Sequence, residues 1–162
     1  MVSEKMAELL SEQVNKEIQS AYIYFAMEQY LANSYDFSGF EHFMKKQAEE
    51  EIEHTYKMMN FLHSVDKKVE LKAIPQPPTA YSDFIDVFKK AYEHEQYISK
   101  SIIELLETAI AEKDYATENF LRHFVDEQVE EEDNFRKIVE TLDFINGDIN
   151  AVMNFNLSLG QR

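Results

Sequence analysis

The amino-acid sequence predicts an all-α protein, a four-helix bundle with a long crossover between its second and third helices and a short fifth helix at the C-terminus. Only 3 Gly and 3 Pro punctuate 162 residues, whereas a β-sandwich or barrel needs turn signals about every 8 to 12 residues. Apolar residues instead recur at alternating spacings of three and four over long stretches, the signature of helices that bury one face. The connections between these stretches are short, long and short in turn, which sets the topology.

Taken in order, the periodic segments cover about 4–33, 38–64, 83–112, 115–145 and 148–159. Ser3 and Ser82 are candidate N-caps for the first and third, and Ser38 with Glu41 forms a capping box for the second. Asp114 and Asp148 serve the fourth and fifth in the same way. The breaks at 33–37 and 113–114 force antiparallel neighbours. The segment from Val65 to Tyr81, with Pro75-Gln76-Pro77-Pro78 inside it, spans up to about 55 Å extended, against about 40 Å for the second helix. It is long enough to return to the start of that helix. Residues 1–162 are therefore expected to form one domain, a bundle over about 4–145 followed by the short helix.

Composition narrows the function. With no Cys there is no disulfide, thiolate metal site or cysteine nucleophile, so a metal would take oxygen and imidazole ligands. The 31 acidic and 16 basic residues give a formal charge of -15, which repels nucleic acid and anionic membrane surfaces and favours cationic partners. No stretch reaches the roughly 20 apolar residues of a membrane span, and Met1-Val2-Ser3-Glu4-Lys5 opens no signal peptide. A soluble, cytoplasmic protein is expected.

The core-facing seams carry the chemistry. The first helix reads Leu10, Val14, Glu17, Ala21, Tyr24, Glu28, Leu31, and the second Phe40, Met44, Gln47, Glu51, His54, Met58, Phe61, Val65. The third reads Phe84, Phe88, Ala91, Glu95, Ile98, Ile102, Leu105, Ala109, and the fourth Leu121, Phe124, Gln128, Glu131, Phe135, Ile138, Leu142, Ile145. Each seam is interrupted by carboxylate mid-helix. Glu17 and Glu51 lie about 24 and 20 Å from the shared end of their hairpin, and Glu95 and Glu131 match in the same way, so all four fall at one level. A single seam Glu is most simply a partly solvated rim residue. Four at one level cannot be buried together unless they are protonated, paired or bound to cations, and no seam offers Lys or Arg. Two divalent cations balance four carboxylates. Glu51-x-x-His54 sets a carboxylate and an imidazole on one helix face, as in carboxylate di-metal bundles, with Gln128-x-x-Glu131 in the equivalent place.

Over essentially its whole length the chain resembles a bacterial or archaeal non-haem ferritin. The residues that carry the resemblance are Asn15-Lys16-Glu17, Ala21-Tyr22-Ile23-Tyr24, Ala48-Glu49-Glu50-Glu51-Ile52-Glu53-His54, Tyr92-Glu93-His94-Glu95 and Glu127-Gln128-Val129-Glu130-Glu131-Glu132. The resemblance implies a ferroxidase that oxidises Fe(II) with O2 or H2O2 and stores Fe(III) as mineral. By it, Glu17, Glu51 and His54 hold one iron and Glu51, Glu95 and Glu131 the other, with Gln128 contacting bound oxygen and Tyr24 beside the pair. A third iron position would use Glu50, Glu127, Glu130 and Glu131. Short C-terminal helices of the family meet at fourfold axes of a shell of twenty-four subunits, a place for the apolar residues of 148–159 beyond the turn at Gly147.

This chain departs from the family in two places. His123 stands where the family often has Trp, which puts that aromatic's electron-donor role in doubt, and Ile52 stands where bacterioferritins bind haem through Met, so no haem is expected. His42, His63 and His94 fall off the seams and read as surface residues, and Met27, Met58 and Met59 as packing. Two other functions share the fold. One is a rubrerythrin-like di-iron peroxidase or oxidase without storage; the other is a helical interaction bundle, whose core would not need carboxylates level on every helix.

Overall fold

A computed structural model describes residues 2–161, among which are five helices and no strand. They are α1 (Glu4–Ala32), α2 (Ser38–Ser64), α3 (Phe84–Glu112), α4 (Tyr115–Ile145) and α5 (Ile149–Leu159). The expected four-helix bundle with a fifth helix is what forms. The α1–α2 and α3–α4 hairpins close through short connections, Lys113 entering the left-handed region at φ 56° to end α3.

The crossover runs the length of the bundle alongside α1. Lys67 pairs with Glu4 near the start of α1; the Glu70 amide donates to Ser11 Oγ at 2.8 Å and the Lys72 amide to Asn15 Oδ1 at 2.7 Å. At the far end the Tyr81 ring packs edge-on to Tyr30 at 5.0 Å. A backbone without secondary structure must satisfy its amides with other groups, and polar side chains of α1 do so here. The strap delivers α3 beside the N-terminus of α2, where Phe84 packs on Phe37 at 4.9 Å and Phe88 on Phe40 at 5.2 Å.

Three helix starts follow the expected chemistry: Ser3, Asp114 and Asp148 accept from the amides of Met6, Thr117 and Ala151. Two differ. Asp83, not Ser82, caps α3, accepting from the Asp86 amide at 2.8 Å, while Asp86 returns the favour to the Ser82 amide at 3.0 Å. At α2 no local capping box forms, because Ser38 already lies inside the helix and Phe37, buried against Phe40, holds the cap position. The first turn is capped from across the molecule instead: the Phe40 amide donates to Asn156 Oδ1 of α5 at 2.9 Å, and Asn156 Nδ2 donates to the Asp36 carbonyl.

That contact also places α5. Asn146 and Gly147 take positive φ (49° and 77°) and turn the chain back, so Val152, Met153, Phe155 and Leu159 pack on the end of the chain's own bundle. A Cβ on Gly39 would stand 1.7 Å from the Asn156 carbonyl oxygen, so only glycine lets the two helices approach this closely. Val152 is buried there, Met153, Phe155 and Leu159 are half-buried, and Ile149 and Leu157 remain exposed.

The interior falls into two apolar clusters. One, at the α5 end, is rich in aromatics (Tyr24, Phe37, Phe40, Phe43, Phe88, Phe135). The other, at the opposite end, is mostly aliphatic (Leu10, Val14, Met58, Leu62, Ile98, Ile102, Leu105), with Phe124. A polar layer separates them.

Candidate metal centre

The polar layer is where the four seams carry their carboxylates. Glu17 is 1%, Glu51 3%, His54 8% and Glu95 0% exposed, and Glu131 is half-buried. Helical periodicity alone aims them inward, because each sits three or four residues from a core neighbour: Val14 and Ala21 around Glu17, Met58 after His54, Ala91 and Ile98 around Glu95.

On the α1–α2 side, Glu17, Glu51 and His54 each offer a ligand atom within 4.8 Å of the others. His54 Nδ1 stands 3.5 Å from Glu51 Oε2. Glu17 Oε2 and Glu51 Oε2 are buried and accept no hydrogen bond, a costly state for a carboxylate unless it is protonated or binds a cation. Burial first, and then the charge of Glu51, push the Glu17 carboxyl well above its usual range; burial and the charge of Glu95 do the same to Glu51. Burial opposes charge on His54, but Glu127 and Glu17 outweigh it and raise its pKa. This is a hard-donor pocket with one imidazole, suited to iron or zinc.

On the α3–α4 side the carboxylates are already engaged. Tyr24 donates its hydroxyl to Glu95 Oε1, and Gln128 Nε2 donates to Glu95 Oε2 at 3.0 Å. Burial raises the Glu95 carboxyl, and these two donors partly oppose that. Tyr24, fully buried beside Glu95 and Glu51, is pushed well above a phenol's usual pKa. Glu131 accepts from Gln47 Nε2 at 2.8 Å.

The residues implied for a third iron lie around a cavity of about 280 Å³ lined by Glu50, Glu53, His54, Lys57, Glu127, Glu130, Glu131 and Asn134. Glu127 is surrounded by basic groups: Lys57 Nζ at 3.1 Å, His123 Nε2 at 3.1 Å and His54 Nε2 at 3.4 Å. Burial alone would raise its carboxyl, but His54 and Lys57 prevail and hold it at about 2. Glu130 is exposed. His123 is exposed too and forms part of this ion-pair cluster.

His63 is exposed and His42 half-buried; His94 is half-buried too, not the solvated residue its position off the seam suggests. It packs edge-on to Tyr24 at 6.1 Å and lies 2.7 Å from Ser20 Oγ, and burial lowers its pKa to about 4. Three polar residues near the centre were not singled out by spacing as functional: Gln13, Gln47 and Lys57. Each sits one helical turn from a ligand candidate, Gln13 before Glu17, Gln47 before Glu51 and Lys57 after His54, and that offset is the signal by which they can be found.

Comparison with known proteins agrees with this architecture. Residues 7–145 match the family model described as Ferritin, a ferritin-like domain. A bacterial non-heme ferritin of Campylobacter jejuni is 42% identical over 146 residues, covering 90% of this chain and 86% of that one. Another, of Staphylococcus haemolyticus, is 35% identical and covers 100% and 97%. The solved structure of an open pore ferritin from the archaeon Archaeoglobus fulgidus superposes with a TM-score of 0.97 at 41% identity, covering 100% and 99%.

Proposed function

We propose, from the premise that this chain belongs to the ferritin family, that it stores iron and oxidises Fe(II) at the buried carboxylate layer. The observation that carries this reading is the pair of bare oxygens, Glu17 Oε2 and Glu51 Oε2, beside His54. Bound cations neutralise such a cluster without requiring its carboxyls to hold protons. Fe(II) is the substrate: Glu17, Glu51 and His54 hold the first ion, and Glu51 bridges to a second on Glu95 and Glu131. Each Fe(II) gives up one electron, so two ions and two protons convert O2 to H2O2, or H2O2 to two waters. Hard carboxylates favour the ferric product, which makes the oxidation downhill. Gln128 and Tyr24, both donors to Glu95, border the place where the oxidant approaches.

A third position for iron in transit lies in the cavity of Glu50, Glu127, Glu130 and Glu131, and iron that enters it must displace Lys57 from Glu127. The chain acts as one domain in a shell of twenty-four copies in the cytoplasm, the ferric mineral inside it. No described helix is long and apolar enough to cross a membrane, and the charge of -15 suits a cationic cargo.

The test is anaerobic titration with Fe(II) followed by air, with oxidation and particle mass read together. Two Fe(II) per chain should bind and oxidise fast, and further iron should accumulate in a particle many times the mass of the chain. Fast oxidation by a small particle that retains no iron would point to a di-iron oxidase without storage. Absence of iron-dependent oxygen uptake would overturn the reading.

A further inference from the structure

One buried polar chain near the metal layer has no part in the chemistry above. Lys16 Nζ donates to Ser101 Oγ at 2.6 Å, Ser101 Oγ donates to Gln13 Oε1 at 2.6 Å, and Gln13 Nε2 donates to Glu17 Oε1 at 2.7 Å. Gln13 is 1% and Ser101 6% exposed, so water does not compete for these bonds.

The directions are consistent from end to end. An ammonium only donates, so the Ser101 oxygen accepts from Lys16, and the Ser101 hydroxyl proton is directed to Gln13 Oε1. Gln13 must then present its carbonyl oxygen to Ser101, which leaves the amide nitrogen facing Glu17. An ionised carboxylate only accepts, so the Glu17 end calls for the same orientation of the amide. Lys16 is itself held, its ammonium lying 5.5 Å from the centre of the Tyr97 ring. At the receiving end one oxygen of Glu17 is satisfied and the other, Oε2, is bare and buried.

We propose that Gln13 is a positioning residue, locked by Ser101 and Lys16, which commits Oε1 of Glu17 to the protein so that Oε2 alone faces the first metal. The proposal rests on the reading of Glu17 as an iron ligand. Its effect is preorganisation: Glu17 enters metal binding as a one-oxygen ligand with its orientation already set, and the metal does not have to order it. At Glu95, by contrast, both carboxylate oxygens accept from protein donors and neither is left bare.

The experiment uses the assembled full-length protein with Co(II), whose visible spectrum reports coordination number. Wild type should bind two Co(II) per chain, and failure to do so would count against the metal-centre reading itself rather than against the role of Gln13. With that established, Gln13→Leu should weaken the first Co(II) by about tenfold, within the range for losing a partner that orients a ligand, and should change the spectrum of that site as Glu17 becomes free to bind through both oxygens. Ser101→Ala, which touches no metal ligand, should give a smaller loss with the same spectral change, and Ser101→Thr should restore both. A protein that merely lost packing would show a lower melting temperature and an unchanged spectrum. Wild-type affinity and spectrum in Ser101→Ala and in Gln13→Leu would overturn the proposal, and if Gln13→Leu fails to fold the Ser101 pair decides it alone.

Discussion

The two halves of the metal layer are built from the same residue types and are in different states. On the α1–α2 side, Glu17 and Glu51 each keep a buried oxygen without a hydrogen bond, and His54 stands within reach of both. On the α3–α4 side, Tyr24 and Gln128 occupy Glu95, and Gln47 holds Glu131. A cation at the first half would meet oxygens that carry no protein hydrogen bond, whereas at the second it would compete with protein donors. Metal should therefore bind in sequence, the α1–α2 position first, because only the second position pays for broken hydrogen bonds.

The largest expected effects come from the ligand both halves share and from the imidazole of the first. Glu51→Ala, which deletes a ligand of both positions, and His54→Ala, which deletes the imidazole of the first, should each slow initial Fe(II) oxidation by about a hundredfold or more. Helical content should be kept. Initial rates at wild-type level in stopped-flow absorbance at low iron loading would show that neither half is the oxidation site.

Next comes the response of stability to metal and pH. The folded-state pKa values of Glu17, Glu51 and Glu95 are raised, chiefly by burial. A raised carboxyl pKa means that the folded protein holds more protons than the unfolded chain. Its contribution to stability is complete below the unfolded pKa and is lost as pH rises through the folded pKa. Metal-free protein should thus melt lower at pH 7 than just above the ordinary carboxyl range. Saturating Zn(II) should raise the melting temperature by about 5 to 10 °C at neutral pH and by less as the solution is acidified, since protons and metal compete for the same oxygens. Calorimetry at several pH values reads both trends; a metal shift that does not grow with pH would remove the buried-carboxylate account.

Tyr24→Phe separates the halves. It removes one donor from Glu95 and touches neither Glu17 nor His54, so the second Zn(II) should bind about fivefold tighter, the worth of one hydrogen bond, with the first unchanged. Equal changes at both positions in calorimetric titration would show that the halves are not distinct. The smallest effect is expected at the cavity beside them. Lys57→Met should strengthen a third equivalent of Zn(II) by about two- to fivefold, the modest worth of a partly exposed ion pair. No change there would mean that Glu127 is held by His54 and His123 without help from Lys57.

Much of this was legible in the sequence. Seam carboxylates and their common level follow from a repeat of 3.6 residues and a rise of 1.5 Å, quantities set by backbone geometry alone, so Glu17, Glu51, His54 and Glu95 could be placed in the core before any coordinate was known. The long crossover was legible from length and proline content, and three of the five caps from adjacent residues. Tertiary structure decided everything that depends on residues distant in the chain. The cap of α2 comes from Asn156, 116 residues beyond Phe40. His94 lies off its seam yet is half-buried because Ser20 and Tyr24 of α1 lie against it. Glu127 sits in an acidic run that reads as a solvated face, and Lys57 and His54 of α2 reach across to claim it. The polarity of the Gln13 chain starts from Lys16 and turns on Ser101, 85 residues away. Helical periodicity is a local property and dictates which way a side chain points. Which of its atoms are already spoken for depends on donors brought by other helices, and no local repeat encodes that.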